Sequence, residues 1–299
     1  MNATYPIWPE HLQPAGMSQA MEALERGFAQ FGIDFYLIGA VARDIWLTQV
    51  YDEPARRMTK DLDLAVFIHD TAEYEALLSW LQEREGFRLT AHSAFCLLYE
   101  PAPNASRVTI DLMPFGAIAD EAGTVHFTTR GVERISTVGF TEVLAGAATM
   151  ITPAGQPWRV VTLPGIVILK LLAWQDRPER GKDATDIWGL LALYFDLVTE
   201  EIYTHHLDLL SEEETPDTTK LTLLVGARVL GRHLQQLVAA QPIRARLLAL
   251  LDAELALQDR SPLARTMSQQ GPTLATVLAA LTALRAGMQD PGPPTHSNH

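Results

Sequence analysis

The chain has 299 residues, 47% of them hydrophobic and 20% charged, with a formal net charge of −13. That mixture predicts a soluble globular protein of one large or two ordinary domains, and the acidic balance argues against a general nucleic-acid binder that works by neutralising many phosphates. The single cysteine, Cys96, excludes an internal disulfide and a cysteine-rich zinc site and fits a reducing cytosol. The opening residues lack the basic and apolar regions of a signal peptide, and no apolar run of roughly 18 residues reads as a membrane span.

In chain order, Met17, Met21, Leu24, Phe28 and Phe31 have helical spacing, ended by Gly32. "DFYLIG" reads as a short buried strand running into Gly39, and "AVARDIWLTQV" as a helix broken near Pro54. "KDLDLAVFI" alternates as a strand, and "TAEYEALLSWLQEREGF" as a helix with Thr71 at its N-cap and Gly86 at its stop. Further strands are expected in "AFCLLYE", "SRVTIDLMPFG", "GTVHFTT", "TEVLAGAATMI" and "PWRVVTL". The character changes near Pro164: "LPGIVILKLLAWQDR" and "GKDATDIWGLLALYF" read as two helices, and everything after Thr199 as helix interrupted at prolines. The expected fold is α+β: a mixed sheet domain flanked by helices over 1–162, an all-helical domain over 163–289, and a disordered Pro-rich tail over 290–299. Histidine spacing offers no metal motif, and His205 and His206 read as a surface helix end.

Within the strand at 61–68, side chains alternate faces. Leu62, Leu64, Val66 and Ile68 point into a core, while Asp61, Asp63, Ala65 and Phe67 point the other way. "RVTIDLMPF" repeats the arrangement with Asp111 alone on its polar face. If the two strands are neighbours, three carboxylates converge and repel unless a cation sits among them. Mg²⁺, with Mn²⁺ as the alternative, is the hard ion that shares carboxylates with substrate phosphates. The bland alternative makes Asp61 a turn residue and Asp111 an exposed position on a half-solvated sheet. Lys170 stands in an otherwise apolar helix, where a lysine is costly unless it snorkels or meets an anion. Asp183 and Asp186, three apart, share a helix face, where they could equally serve the helix dipole. Arg56, Arg57 and Lys60, and again Arg177, Arg180 and Lys182, form basic turns that are either phosphate contacts or solvated loops.

"LIGAVARD", "TKDLDLAV" and "VTIDLMPFG" together resemble the nucleotidyltransferase superfamily, and "TKDLDL" followed by "LKLLAWQDRPERGKDATDI" is most similar to its AbiEii/AbiGii-type toxin branch, over about residues 20 to 195. The resemblance implies a polymerase-beta-like fold and Mg²⁺-dependent transfer of a nucleotidyl group from an NTP. The acceptor would be a tRNA 3′ end, a protein side chain or a small molecule such as an aminoglycoside, with an antitoxin protein as partner, in the cytoplasm. Asp61 and Asp63 become metal ligands, Asp111 a third ligand or base, and Lys170 and Asp186 active-site groups. Gly39, Ala40, Arg43, Lys60, Arg177 and Lys182 become nucleotide contacts. Two departures stand out: Ala40 replaces the family's usual Ser or Gly, and 21 residues separate Gly39 from Asp61. They keep open an alternative, a nucleotide-binding protein without turnover. For Arg43 the competing reading is a salt bridge near Asp44.

Overall fold

The structure, a computed structural model, describes residues 4–14, 16–54, 59, 61–91, 93–100, 106–127, 133–212, 217–238 and 242–291. The chain divides into two compact units, Met1–Thr162 and Leu163–His299.

The first unit is a mixed sheet with helices. Its strands are β1 (Thr4–Pro6), β2 (Phe35–Ile38), β3 (Asp61–Phe67), β4 (Arg88–Leu89), β5 (Cys96–Tyr99), β6 (Val108–Phe115), β7 (Thr124–Phe127), β8 (Glu133–Ser136), β9 (Ala148–Ile151) and β10 (Pro157–Val160). Its helices are α1 (Met17–Phe31), α2 (Gly39–Ile45), α3 (Thr71–Glu85) and α4 (Phe140–Ala145), with a π-helical turn, Trp46–Val50, continuing α2. Eight strands form one sheet in the order β1-β9-β10-β2-β3-β6-β5-β4, and β7 pairs with β8 apart from it. At the centre, β2 runs antiparallel to β3, β3 parallel to β6, and β6 antiparallel to β5.

The period-two pattern of β3 decides which face is covered. Leu62, Leu64, Val66 and Ile68 are fully buried, whereas Asp61 is exposed and Asp63 half-buried. Helices α1 and α3 pack together so closely that a Cβ on Gly27 would meet Leu81 Cδ2 at 2.8 Å. Both are tied to the sheet by polar bonds, one buried and one part-buried. The Tyr74 hydroxyl donates to the Leu112 carbonyl at 2.7 Å, and the Trp158 indole N–H donates to Glu25 at 2.8 Å. Burial raises the Glu25 carboxyl above its ordinary value, and the Trp158 bond offsets part of that.

The second unit is helical: α5 (Leu163–Asp176), α6 (Lys182–Leu197), α7 (Thr199–His205), α8 (Leu207–Glu212), α9 (Thr218–Val238), α10 (Pro242–Ala256), α11 (Pro262–Ser268) and α12 (Leu274–Gly287). Helix α9 packs on α5, α6 and α12. It crosses α12 backbone to backbone: a Cβ on Gly231 would overlap the Leu284 carbonyl, and one on Gly287 the Arg228 carbonyl. Among the described residues no helix is long and apolar enough to cross a membrane.

Four expectations need correction. "TEVLAGAATMI" is not one strand: α4 occupies its first half, with Phe140, Val143 and Leu144 buried at helical spacing, and only Ala148–Ile151 is extended. The N-cap of α3 is Asp70, whose carboxylate accepts from the Glu73 N–H at 2.9 Å, so Thr71 is already helical. His206 is not on the surface; it is 4% exposed. In the tail, Asp290 is buried and bound by Arg228 at 2.9 Å and Arg232 at 2.6 Å, while 292–299 lie outside the described residues.

Candidate active site

The carboxylates are placed by strand register. Asp63 of β3 is the direct partner of Asp111 of β6, Ile38 of β2 lies opposite Asp63, and Cys96 of β5 lies opposite Asp111. Paired positions in a sheet share a face, so Ile38, Asp63, Asp111 and Cys96 form one row across four strands. Asp61, opposite Thr109, stands two residues toward the start of β3 on the same face. Gly39 closes the row from above. Its φ is +68°, the left-handed region that suits glycine, and a Cβ there would overlap Asp63 Oδ2 and come within 2.6 Å of Asp63 Cγ. A side chain at position 39 would therefore occupy the place of the Asp63 carboxylate.

The donor set is all oxygen and suits Mg²⁺, which is held by one or two carboxylates with water and substrate phosphates completing its octahedron. Asp63 and Asp111, adjacent and half-buried, would supply the protein share, and the Asp61 carboxylate is not gathered with both of them within 4.8 Å. Their field reaches the neighbouring groups. The Cys96 thiol is pushed up to about 12, first by burial and then by Asp111, and the buried Tyr74 hydroxyl is raised well above its ordinary value, first by burial.

In the second unit, the lysine of the apolar helix α5 has found its anions. Lys170 Nζ lies 2.6 Å from Asp186 Oδ2 and 3.2 Å from Asp183 Oδ1, all three side chains being about nine-tenths buried. One ammonium between two carboxylates leaves the trio with one excess negative charge.

A family model describing the AbiEii nucleotidyl transferase toxin of type IV toxin–antitoxin systems matches residues 22–283. The chain belongs to the AbiEii family. It is accordingly a nucleotidyltransferase enzyme of the toxin class. No curated protein matches the chain. Among solved structures, one described as the antibiotic-resistance factor ANT(2″)-Ia in solution, with substrate-regulated conformational dynamics, shares 16% identity. It covers 79% of this chain and 95% of its own, with a TM-score of 0.34.

In this AbiEii chain the remaining candidate residues fall as follows. Ala40 is the second residue of α2 and half-buried. Arg43 is 7% exposed, and its Nε and Nη2 both donate to Asp44 Oδ1, at 2.9 and 2.7 Å. Asp44 also accepts from the Thr59 hydroxyl at 2.7 Å. Arg177 and Lys182 are exposed at the turn between α5 and α6. Lys60, Arg56 and Arg57 lie outside the described residues. Strand alternation alone pointed to the aspartates. It carried no sign of Cys96 beside Asp111 or of Asp183 beside Lys170, because both depend on partners distant in sequence.

A second polar cluster in this AbiEii chain had no sequence signal. Glu201, His206 and His233 bring one ligand atom each within 4.8 Å of one another, and no other such trio occurs among the described residues. The protons decide its character. Arg232 has only donors, and its Nη1 lies 2.9 Å from His206 Nδ1, which must therefore accept. The His206 proton then sits on Nε2, facing Glu201 Oε1 at 3.6 Å, while His233 Nε2 bonds the same oxygen at 2.8 Å. His233 hydrogen-bonds the Glu201 carboxylate, while His206 Nε2 is buried beside it with no hydrogen-bond partner among the described residues. Glu201 is lowered far below its ordinary value, first by the His206 and His233 imidazoles that face it.

Proposed function

We propose that this chain moves a nucleotidyl group from an NTP to an acceptor hydroxyl, with Asp61, Asp63 and Asp111 as the catalytic carboxylates. The observation that carries the reading is the register pairing of Asp63 with Asp111 beneath a glycine whose missing Cβ makes room for Asp63. Asp61 and Asp63, with Asp111, would hold Mg²⁺. When bound, the ion neutralises phosphate charge and holds the triphosphate for in-line displacement. Asp111 also accepts the proton of the attacking hydroxyl. The new bond joins that oxygen to the α-phosphorus, the bond to the β-phosphate oxygen breaks, and pyrophosphate leaves. Most of the acceleration then comes from positioning and charge neutralisation.

Lys170 and Asp186 are assigned to the same machinery on the family resemblance, and the exposed Arg177 and Lys182 to contacts with triphosphate or an acceptor end. The acceptor class that fits a toxin is the 3′ end of an RNA such as tRNA, with a small molecule as the competing acceptor. A dedicated antitoxin in the same cytoplasm is the expected protein partner. One observation favours a second reading, binding without turnover: Arg43, near the nucleotide turn, is engaged by Asp44.

The deciding experiment incubates the protein with Mg²⁺ and each α-labelled NTP beside total RNA, total protein and a small-molecule extract. Label should enter one pool. The Asp61→Ala/Asp63→Ala variant should transfer about a thousandfold less or worse, since metal stabilisation is worth several kcal/mol and each factor of ten is about 1.4 kcal/mol. Equal transfer by that variant would refute the assignment. Tight nucleotide binding without transfer would select the second reading.

A further inference from the structure

Among the described residues, the carboxylate face of the sheet carries a cation, Arg159, that the reading above does not use. Arg159 of β10 pairs with Thr149 of β9, and the next residue, Val160, pairs with Leu37 of β2. Arg159 thus stands beside Tyr36, and its guanidinium lies over the Tyr36 ring, 5.4 Å from the centroid. Tyr36 in turn lies opposite Ala65, two residues along β3 from Asp63 and on the same face. The row Arg159, Tyr36, Ala65 therefore adjoins the row Ile38, Asp63, Asp111, Cys96. From β10 to β3 is two strand spacings, about 10 Å.

Buried Arg43 ends on Asp44, and half-buried Arg228 and Arg232 end on Asp290. Arg159 does not. Its Nη2 reaches only the Ala147 carbonyl, at 3.4 Å, and its Nε is buried without a hydrogen-bond partner among the described residues. An unsatisfied buried N–H on a charged group is costly. Stacking on Tyr36 steadies the planar fork without using its donors. A half-buried guanidinium with unused donors, fixed on the face that carries three carboxylates, is complementary to phosphate oxygens.

We propose that Arg159, seated on Tyr36, is a phosphate-binding residue of the active site. The proposal rests on the transfer reading above and deepens it. The phosphate belongs either to the triphosphate of the NTP or to the acceptor strand, and the two sources separate in titration.

The test titrates the full-length protein, Arg159→Met and Arg159→Lys with tripolyphosphate, with each NTP, and with a short single-stranded oligoribonucleotide, by calorimetry in Mg²⁺. Arg159→Met should weaken binding about tenfold or more, the effect of one charge-assisted hydrogen bond, and Arg159→Lys, which keeps charge but loses the fork, by less. Loss for tripolyphosphate and NTP places the nucleotide there, whereas loss for the oligonucleotide alone places the acceptor there. Thermal melting without ligand checks the fold, and if the Met variant does not fold, the Lys variant decides. A folded variant with unchanged affinity for all three probes overturns the proposal, as does an intact protein that binds none of them. Weakened tripolyphosphate binding in a protein that transfers no label leaves the phosphate site standing and removes the transfer reading. Transfer that needs Asp61 and Asp63 but ignores Arg159 does the reverse.

Discussion

At the scale of residues, two glycines with nearly the same backbone separate conformation from crowding. Gly32 has φ +67° and Gly39 has φ +68°, but an added Cβ meets nothing within 4 Å at Gly32 and overlaps Asp63 at Gly39. Alanine at either position should cost roughly 1–2 kcal/mol for the left-handed backbone. Only Gly39→Ala should also lower transfer, by about a hundredfold for a displaced carboxylate. Denaturant melts paired with the labelling assay check both halves, and equal activity in the two variants would contradict the placement. Glu201 gives a pH prediction. Its folded-state pKa is depressed below the ordinary 4.5, so the unfolded chain binds the extra proton as pH falls. The stability it contributes is present above about pH 4.5 and declines below it. Glu201→Gln should therefore flatten the acid limb of the stability profile, measured by melting between about pH 5 and pH 3. The aspartates were legible because carboxylates interrupt a strand pattern that otherwise buries apolar groups. Arg159, the bond from Lys170 to Asp183 and the burial of His206 were not, because they depend on Tyr36 of β2, on Lys170 of α5 and on Arg232 and His233 of α9, each contributed by a different element.

At the scale of elements, the long periodic segments and the short strands β2, β5, β7 and β10 were legible in outline, whereas β1, β4, β8 and α4 were not. The apolar stripe of α1 and the alternation of β3 and β6 each hold over several repeats. By contrast, "TEVLAGAATMI" is mostly apolar, and a six-residue helix followed by a four-residue strand leaves too few repeats to tell the two periods apart. Helices α9 and α12 add a constraint that amphipathic spacing cannot express, since Gly231 and Gly287 each face a carbonyl of the other helix. Gly231→Ala and Gly287→Ala must push the helices apart, and each should destabilise the protein by about 1–3 kcal/mol, the usual range for overpacking. Gly189→Ala, in α6 with open space around it, should be neutral or slightly stabilising. Thermal melts of the three variants test this directly.

At the scale of the whole molecule, charge limits how an RNA could be held. With a net charge of −13, binding must come from a few local contacts rather than a broad basic surface. If the oligoribonucleotide binds through about two phosphates, an about fourfold rise in salt should weaken it by about tenfold at most. A steeper dependence would reveal a basic surface that the composition hides. The sheet order carries a different consequence, in the timing of synthesis. Strands β2, β3, β5 and β6, which assemble the aspartate row, lie within residues 35–115, whereas β1 waits for β9 and β2 gains its other neighbour only when β10 appears. As the chain leaves the ribosome, the carboxylates can be aligned before Arg159 exists. The edge strand Thr4–Pro6, among the first residues made, is seated only against Thr149–Ile151, among the last of its unit.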